Sequence, residues 1–124
     1  TFRHMIKKVI IGKDITSVGN YAFAYCQNLE SIVFEEGSVL TGIGVLSFIN
    51  APKLASVVLP ETVTSLGAYA FGDCFALESL YLPAGVNNIY FSAFNGSAKL
   101  VLNVAAGSYA EKFATEHGIS FTAR

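Results

Sequence analysis

The residues best suited to catalysis in this chain are two histidines, and their placement does not favour a catalytic site. His4 and His117 lie near opposite ends of the 124 residues. Neither histidine accompanies a sequence typical of a nucleophile elbow. A Ser-His-Asp triad needs three side chains that converge in space, and no pattern in the sequence indicates such convergence. His117 is better explained as a residue near a helix C-terminus, where the helix dipole favours a cation. We therefore predict no catalytic residues and no enzymatic activity.

The two cysteines occupy equivalent positions in a repeated pattern, which favours packing over chemistry. Cys26 and Cys74 each follow a phenylalanine by three residues, and Ala51 and Ser97 stand at the same position in other copies. Two repeats separate the cysteines by roughly twice the ~4.8 Å strand spacing. A disulfide requires Cα atoms within about 7 Å. We predict two free, buried thiols. No histidine or carboxylate stands at ligand spacing from them, so we predict neither a metal site nor a cofactor.

Two further polar motifs have an ordinary structural explanation. Glu35 and Glu36 could offer oxygen ligands to a hard cation. Adjacent side chains of an extended segment point in opposite directions, so a solvated loop is the better interpretation. Asn95-Gly96-Ser97 matches a glycosylation sequon. Asn-Gly is also common turn chemistry, and we favour a turn at this position.

A repeat of 23 to 25 residues runs through most of the chain and must determine where these side chains lie. Three columns keep the same register: Phe23, Phe48, Phe71 and Phe94; Leu29, Leu54, Leu77 and Leu100; and Val18, Ile43, Leu66 and Ile89. A period in the twenties is typical of a solenoid built from small leucine-rich units.

Each repeat begins with a short β segment rich in β-branched and aromatic residues. These segments are Val9-Ile10-Ile11, Ile32-Val33-Phe34, Val57-Val58-Leu59, Leu80-Tyr81-Leu82 and Leu102-Asn103-Val104. Side chains alternate across a strand, so the first and third residues should point into the core and the middle residue outward. We expect successive strands to form one parallel sheet. Its outward row would comprise Ile10, Val33, Val58, Tyr81 and Asn103.

The second half of each repeat should turn the chain back. Gly19, Gly44 and Gly67 follow the aliphatic corner residue, whereas the fourth repeat has Tyr90 there. Glycine indicates either a positive φ or a close backbone approach. The Tyr-Ala-Phe stretch that follows is expected to form a short helical turn. The second repeat is two residues longer, and the loop at 35–42 is the cheapest place for the extra length.

The two ends of the chain differ in their pattern. Ser108 and Glu111 form a capping box, which predicts a helix that continues through Phe113 to His117, with Gly118 as its C′ residue. A last short strand is expected over 119–121. Residues 1–8 resemble the end of a preceding repeat without a cap, and the chain starts without Met. We therefore expect a fragment with an open N-terminal core that could self-associate.

Together these patterns predict one α/β leucine-rich-repeat solenoid over residues 1–124. A curved parallel sheet would line the concave side, with short helical turns and loops on the convex side and a helical cap at the C-terminus. The predicted division is a repeat remnant at 1–8, repeats at 9–31, 32–56, 57–79 and 80–101, and a cap at 102–121.

Composition excludes several classes of function. Apolar residues make up 52% of the chain and charged residues 14%, which is too apolar for disorder. The net charge of -1 comes from scattered charges without a basic stripe, so nucleic acid is not an expected partner. Polar residues interrupt every apolar run, so no membrane insertion is predicted.

The stretches 9–32, 57–80 and 80–100 and the closing segment 106–113 resemble the BspA-like (Treponema pallidum-type) leucine-rich repeats. The similarity rests on the recurring Val/Leu-Pro, Ile/Val-Gly, Ala-Phe, Cys and Leu-x-Ser-Ile elements. It implies a large bacterial cell-surface or secreted protein, and some members of the family act as adhesins. It implies no catalytic residues.

The outward row is the predicted partner-binding face, because contiguous exposed apolar side chains mark contact sites. The alternative is that these β-branched side chains only support their neighbours along the sheet. We therefore predict a non-catalytic protein-interaction or adhesion module whose partner is a protein, such as a host matrix or cell-surface protein. One alternative is a structural spacer or capping array beside another domain. Another is carbohydrate binding, which depends on the tyrosines alone: Tyr21, Tyr25, Tyr69, Tyr90 and Tyr109.

Overall fold

The computed structural model describes residues 2–124, which form short strands in regular succession and one α-helix. The strands are β1 (Lys8–Ile11), β2 (Ser17–Val18), β3 (Ser31–Phe34), β4 (Gly42–Ile43), β5 (Ser56–Val58), β6 (Ser65–Leu66), β7 (Ser79–Tyr81), β8 (Asn88–Ile89), β9 (Val101–Val104) and β10 (Ser120–Ala123). A 3-10 helix covers Phe2–Met5, and helix α1 covers Tyr109–His117. This is the predicted solenoid with a helical C-terminal cap.

The strands form two columns of parallel pairs along the solenoid. The concave column contains β1 paired with β3 and, separately, β5, β7, β9 and β10 in that order. The corner column contains β2, β4, β6 and β8, which carry the aliphatic corner residues. In the concave column Ile10 lies opposite Val33, and Val58, Tyr81 and Asn103 lie opposite one another in succession. The predicted register of the repeats is therefore correct.

The expectation of one continuous sheet in the concave column was wrong, because pairing is interrupted between β3 and β5. The break follows the second repeat's strand, where the chain enters its longer loop. That loop donates backbone hydrogen bonds to the first repeat: Glu35 N–H donates to Ile11 O at 3.0 Å, and Val39 N–H donates to Lys13 O at 3.0 Å. The same loop also bonds to the third repeat, where Thr62 Oγ1 donates to Leu40 O at 2.6 Å. The break is therefore confined to the strand ladder, and it coincides with the two extra residues of the loop.

A stack of phenylalanine rings runs through the centre of the core. Ring centroids are 5.4 Å apart between Phe23 and Phe48, 5.4 Å between Phe48 and Phe71, and 6.4 Å between Phe71 and Phe94. Phe113 of α1 closes the stack with an edge contact to Phe94 at 6.3 Å. Offset or edge contacts at such distances add to the stability that burial itself provides. The repeated anchor is therefore the structural axis of the solenoid.

The expected helical turns on the convex side are absent, and the chain forms hydrogen-bonded turns with left-handed residues there. Tyr21, Leu46 and Tyr69 have φ of 62°, 59° and 54°. Four residues later the conformation recurs at Tyr25, Asn50 and Asp73, and in the fourth turn Gly96 adopts it. A non-glycine residue pays roughly 1–2 kcal/mol for this conformation, and a helix cannot contain it. The reason lies in the hydrogen bonds that these turns make to each other.

Backbone amides of each turn donate to carbonyls of the next turn, and we call this set the turn ladder. Its recurring members are Phe23 N to Ser47 O at 2.8 Å, Phe48 N to Ala70 O at 2.9 Å, Phe71 N to Ala93 O at 2.9 Å, Tyr25 N to Ile49 O at 2.8 Å, Asn50 N to Gly72 O at 2.9 Å and Asp73 N to Asn95 O at 2.8 Å. These bonds satisfy backbone groups that a buried turn would otherwise leave unpaired. They compensate for the strained φ values.

The corner glycines serve close approach between repeats. A Cβ at Gly44 would lie 2.7 Å from Val18 O, and one at Gly67 would lie 2.8 Å from Val45 N. Neither glycine has a positive φ, so these positions require glycine because the backbones of neighbouring repeats approach closely there. At Gly19 nothing lies within 4 Å of the added atom.

The cap matches its predicted helix. Ser108 accepts a hydrogen bond from Glu111 N at 3.2 Å, and Gly118, at φ 67°, closes the helix by donating to Ala114 O. The Glu111 carboxylate accepts from Gly107 N at 2.8 Å, one residue before the expected partner. The last strand lies at Ser120–Ala123, later than the predicted 119–121, and pairs with β9. Ile119 instead packs partly buried against the core.

The N-terminal segment follows the geometry of the repeats. Ile6 N–H donates to Arg3 O at 3.4 Å, as Leu29 N–H donates to Cys26 O at 3.0 Å one repeat later. The Arg3 guanidinium donates to Ala24 O at 2.6 Å. Ala24 is the repeat equivalent of the turn-ladder acceptor Ile49, so an arginine side chain here takes the place of a backbone amide.

Candidate functional site

The predicted outward row lies on the solvent side of the concave column. Ile10, Val33 and Val58 are 59%, 41% and 69% exposed, and Tyr81 and Asn103 are half-buried. The strand neighbours that were expected to point inward are buried, with Phe34 as a half-buried exception. The alternation predicted from the sequence therefore places all five side chains on one face, which we call the concave face.

The concave face changes character along its length. Its first three positions are aliphatic, whereas its C-terminal part is linked by side-chain hydrogen bonds. Asn103 Nδ2 donates to Ser79 Oγ at 2.8 Å, and Thr122 Oγ1 donates to Asn103 Oδ1 at 2.9 Å. An apolar half beside an ordered polar half offers both contact area and directional bonds to a ligand.

Sequence reasoning missed two parts of this face. Thr122 extends the row because β10 pairs with β9 and sets Thr122 opposite Asn103. The expected strand ended at residue 121, so Thr122 fell outside it. A second outward row lies two residues before the first and comprises Lys8, Ser31, Ser56, Ser79, Val101 and Ser120. The recurrence of serine at one repeat position was the signal for it, and these small side chains leave the aliphatic row accessible.

Tyr81 stands where the apolar and polar halves meet. A hydrogen bond to the Glu61 carboxylate, followed by partial burial, raises the pKa of the Tyr81 phenol. The phenol therefore stays protonated. A depression of about 510 Å³ adjoins it, lined by Tyr81, Asn103, Val104, Ala105, Thr122 and Arg124. Its residues can bind by stacking, hydrogen bonding and charge.

The remaining candidates from the sequence are not brought to this face. The His117 ring lies 4.3 Å from the ring of Phe113 at the end of α1, and His4 belongs to the N-terminal 3-10 helix. Glu35 accepts from Lys13 N at 2.9 Å in an exposed loop. Within residues 2–124 no three His, Cys, Asp or Glu side chains are grouped as metal ligands.

The sequon has a structural role at its hydroxyl. Ser97 is buried, donates to Phe71 O at 2.7 Å and accepts from Cys74 N at 2.9 Å. Asn95 is exposed in the turn and supplies the carbonyl that accepts from Asp73. The motif thus forms part of the turn ladder, as the turn interpretation expected.

The tyrosines do not form one platform. Tyr21, Tyr25 and Tyr69 lie in the convex turns, and the Tyr90 ring contacts Phe91 at a tilt of 32°, with ring centroids 5.0 Å apart. Tyr109 belongs to the cap, where its hydroxyl accepts from Ile89 N at 3.1 Å. The carbohydrate alternative depended on these side chains acting together, and they are distributed over different surfaces.

Both cysteines are buried and unbridged, as the repeat pattern predicted. Burial raises the pKa of both thiols. The nearby Arg3 charge offsets part of the shift at Cys26, whereas the pKa of Cys74 rises to about 11. Cys74 Sγ lies 3.4 Å from Phe48 O. Such a thiol is a packing group and not a nucleophile at neutral pH.

The raised pKa of Cys74 predicts a loss of stability in alkali. Its folded pKa of about 11 exceeds the usual 9.0. The protonated Cys74 thiol therefore contributes its full share of folding stability below pH 9, and this share is lost as the pH rises from 9 to 11. Two pKa units correspond to about 2.7 kcal/mol. Urea unfolding at pH 8 and pH 11 should show a larger loss of unfolding free energy for the parent chain than for Cys74→Ala. Alanine fits this repeat position, because the second repeat has Ala51 there. Equal losses would refute this role.

The fold defines the class: a leucine-rich-repeat solenoid with an exposed sheet face. The chain belongs to the BspA type leucine rich repeat region family, whose model matches six copies within residues 2–112. Among solved structures it is similar to a leucine-rich repeat protein from Bacteroides ovatus, with 24% identity and a TM-score of 0.81 over 98% of this chain. It is also similar to the T. pallidum leucine rich repeat protein, with 21% identity and a TM-score of 0.57 over 79% of the chain.

The chain spans 31% of the Bacteroides protein and 58% of the T. pallidum protein. No curated protein sequence matches the chain significantly. Between residues 2 and 124 no helix has the length and apolar content needed to cross a bilayer.

Proposed function

We propose that the chain is a non-catalytic protein-interaction module of a bacterial cell-surface or secreted protein, and that it binds its partner on the concave face. The observation that carries the proposal is the row of solvent-exposed aliphatic side chains at Ile10, Val33 and Val58. Exposed apolar area of this kind is a liability unless a partner covers it. The adjoining polar part at Tyr81 and Asn103 would fix the partner's register through directional bonds.

The form of the face favours a macromolecular partner. Its two outward rows run across successive strands, and the serine row stands beside the aliphatic row without covering it. Small-molecule sites are deeper and more enclosed than such a surface. A folded protein, such as a host matrix or cell-surface protein, has the area to contact both halves. Adhesion is the form of this activity that the family resemblance favours.

A structural role is the second candidate, and the backbone ladders favour it. The turn ladder and the corner column join successive repeats by hydrogen bonds, and the concave column does so except between β3 and β5, which makes the array stiff along its axis. A stiff array can serve as a spacer in a longer protein. In that case the aliphatic row would only support neighbouring strands.

The two candidates differ in whether the isolated chain binds. The experiment is surface-immobilised binding of the chain to a panel of host matrix proteins and purified glycans. Saturable binding to a protein supports the interaction module. Binding to glycans alone favours the carbohydrate alternative, and no binding at micromolar concentration favours the spacer.

Tyr81→Ala is expected to weaken partner binding by about tenfold, because aromatic residues at an interface often contribute ~1–2 kcal/mol or more. The melting temperature should change little, since Tyr81 is only half-buried and points away from the phenylalanine stack. Titration calorimetry and thermal unfolding measure the two effects. A large fall in melting temperature would show that the side chain belongs to the core.

A further inference from the structure

The turn ladder ends at a pair of backbone amides that have no hydrogen-bond acceptor among residues 2–124. In the first three turns, the amide of the phenylalanine anchor and the amide two residues later each donate to a carbonyl of the next turn. In the fourth turn these amides belong to Phe94 and Gly96. Neither donates to an acceptor within residues 2–124. A backbone amide left without a partner costs free energy in proportion to its removal from water.

The cap supplies partners to both strand columns at this end of the solenoid. Strand β10 pairs with β9 and thereby extends the concave column. The Tyr109 hydroxyl accepts from Ile89 N and thereby closes the corner column. Phe113 covers the ring of Phe94. The cap thus contacts both strand columns and the core, but it supplies no acceptor to the two amides of the turn ladder.

The two amides belong to residues that line a groove of about 310 Å³ between the fourth turn and the end of the cap. Phe91 stands on one side of the groove and is 68% exposed, while His117 and Ile119 stand on the cap side. The Phe91 ring also packs at a tilt against the exposed Tyr90. The groove therefore combines unpaired donors with an exposed aromatic wall.

The interior turns define the acceptor that fits these donors. In each case the acceptors are two carbonyls of one chain, two residues apart: Ser47 and Ile49, Ala70 and Gly72, Ala93 and Asn95. The carboxylate of Asp73 lies directly beside Gly96, because an added Cβ there would collide with its Oδ1. A negative charge at this place disfavours an anion, whereas neutral peptide carbonyls remain suitable.

We propose that Phe94 N–H and Gly96 N–H form a docking site for a peptide segment of a partner polypeptide. Two carbonyls of that segment, two residues apart, continue the turn ladder, and an apolar side chain of the segment contacts Phe91. Addition of one backbone to an open ladder is an established mode of peptide recognition. The site is separate from the concave face and does not depend on the function proposed for it.

Amide hydrogen exchange tests the free state of the donors. Phe94 and Gly96 should exchange about tenfold or more faster than their bonded equivalents Phe71 and Asp73, as expected when a hydrogen bond of ~1 kcal/mol or more is absent. The sequence-corrected rates in the 124-residue chain provide the comparison. Equal protection of the two pairs would show that the amides are already bonded and would overturn the proposal.

Binding is tested with an acetylated, amidated peptide that has the sequence of residues 67–73, since this segment supplies the acceptors Ala70 O and Gly72 O in the interior. Titration followed by amide NMR should move the Phe94 and Gly96 proton signals downfield and saturably. Phe91→Ala should weaken the peptide about tenfold, equivalent to ~1.4 kcal/mol. Val39→Ala is the control in the exposed loop after β3, outside both surfaces and at 45% exposure, and should leave the titration unchanged.

Three results would overturn the proposal. One is the absence of a saturable shift at millimolar peptide. Another is a response confined to the concave face. The third is a response of the two amides to inorganic sulfate but not to the peptide, which would identify an anion site.

Discussion

Phe71→Ala is expected to lower the free energy of unfolding by about 3–5 kcal/mol, the usual cost of deleting a buried phenylalanine. The ring is fully buried and stacked on both sides, at 5.4 Å from Phe48 and 6.4 Å from Phe94. Its removal would leave a void between two repeats that backbone ladders hold at fixed spacing, so the site cannot collapse easily. Because domains have only about 5–15 kcal/mol of stability, the variant should melt far below the parent chain.

The first anchor provides a control of the same chemistry. Phe23 is half-buried at the start of the stack, and within the stack its ring contacts only that of Phe48. Phe23→Ala should therefore cost roughly half as much as Phe71→Ala, following the smaller apolar area that it removes from the core. Denaturant unfolding of both variants measures the difference. If Phe71→Ala costs no more than Phe23→Ala, the ring stack is not the axis of stability.

Gly67→Ala is expected to destabilise the chain by about 1–3 kcal/mol through overpacking. The added methyl group would meet backbone atoms of the preceding repeat: Val45 N at 2.8 Å, Gly44 C at 3.0 Å and Val45 Cα at 3.1 Å. No flexible side chain can yield there. The nearby bonds Gly67 N to Ile43 O and Leu46 N to Ala68 O, both 2.8 Å, would have to lengthen as the repeats separate.

Gly19 is the matched control position in the first repeat. It has the same place in its repeat, but nothing lies within 4 Å of an added Cβ and its φ is not positive. Gly19→Ala should therefore be neutral or stabilise by about 0.4–1 kcal/mol, through the reduced entropy of the unfolded chain. Thermal and urea unfolding of the two variants give the comparison. Similar losses at both positions would show that glycine is required for a reason other than close approach.

The repeat columns were sufficient to predict the solenoid because they report which side chains are buried. The phenylalanine, leucine and aliphatic corner columns lie in the core, with only the terminal anchor Phe23 half-buried. Alternation around Val58 and Tyr81 likewise predicted the outward row. The cap helix followed from local chemistry, since the capping box and Gly118 act within a few residues of chain.

The features that escaped prediction depend on bonds between repeats. Tyrosine and leucine have no intrinsic preference for positive φ, so Tyr21 and Leu46 gave no sign of it. The conformation is held by amides that donate across the repeat boundary, as Phe23 does to Ser47. The break between β3 and β5 likewise concerns bonds between repeats, and its signal in the sequence is the two extra residues of the loop that follows β3.

The candidate site was predictable in position but not in full extent. Thr122 joins the row only because β10 pairs in register with β9, and two residues of shift at a chain end are enough to hide it. The Glu61 contact of Tyr81 comes from a preceding loop whose course the sequence does not determine.

The most direct test of the central claim is the partner affinity of Val58→Asp measured beside Val39→Asp. Val58 lies at 69% exposure on the concave face, and Val39 lies at 45% exposure in the loop after β3. Both substitutions add one carboxylate at an exposed valine, so both variants should remain folded. If the concave face is the binding surface, Val58→Asp loses binding by at least about tenfold, since a charge buried against an apolar partner costs more than ~1.4 kcal/mol. Val39→Asp then binds like the parent chain. Unchanged binding by folded Val58→Asp, or an equal loss in both variants, would contradict the account.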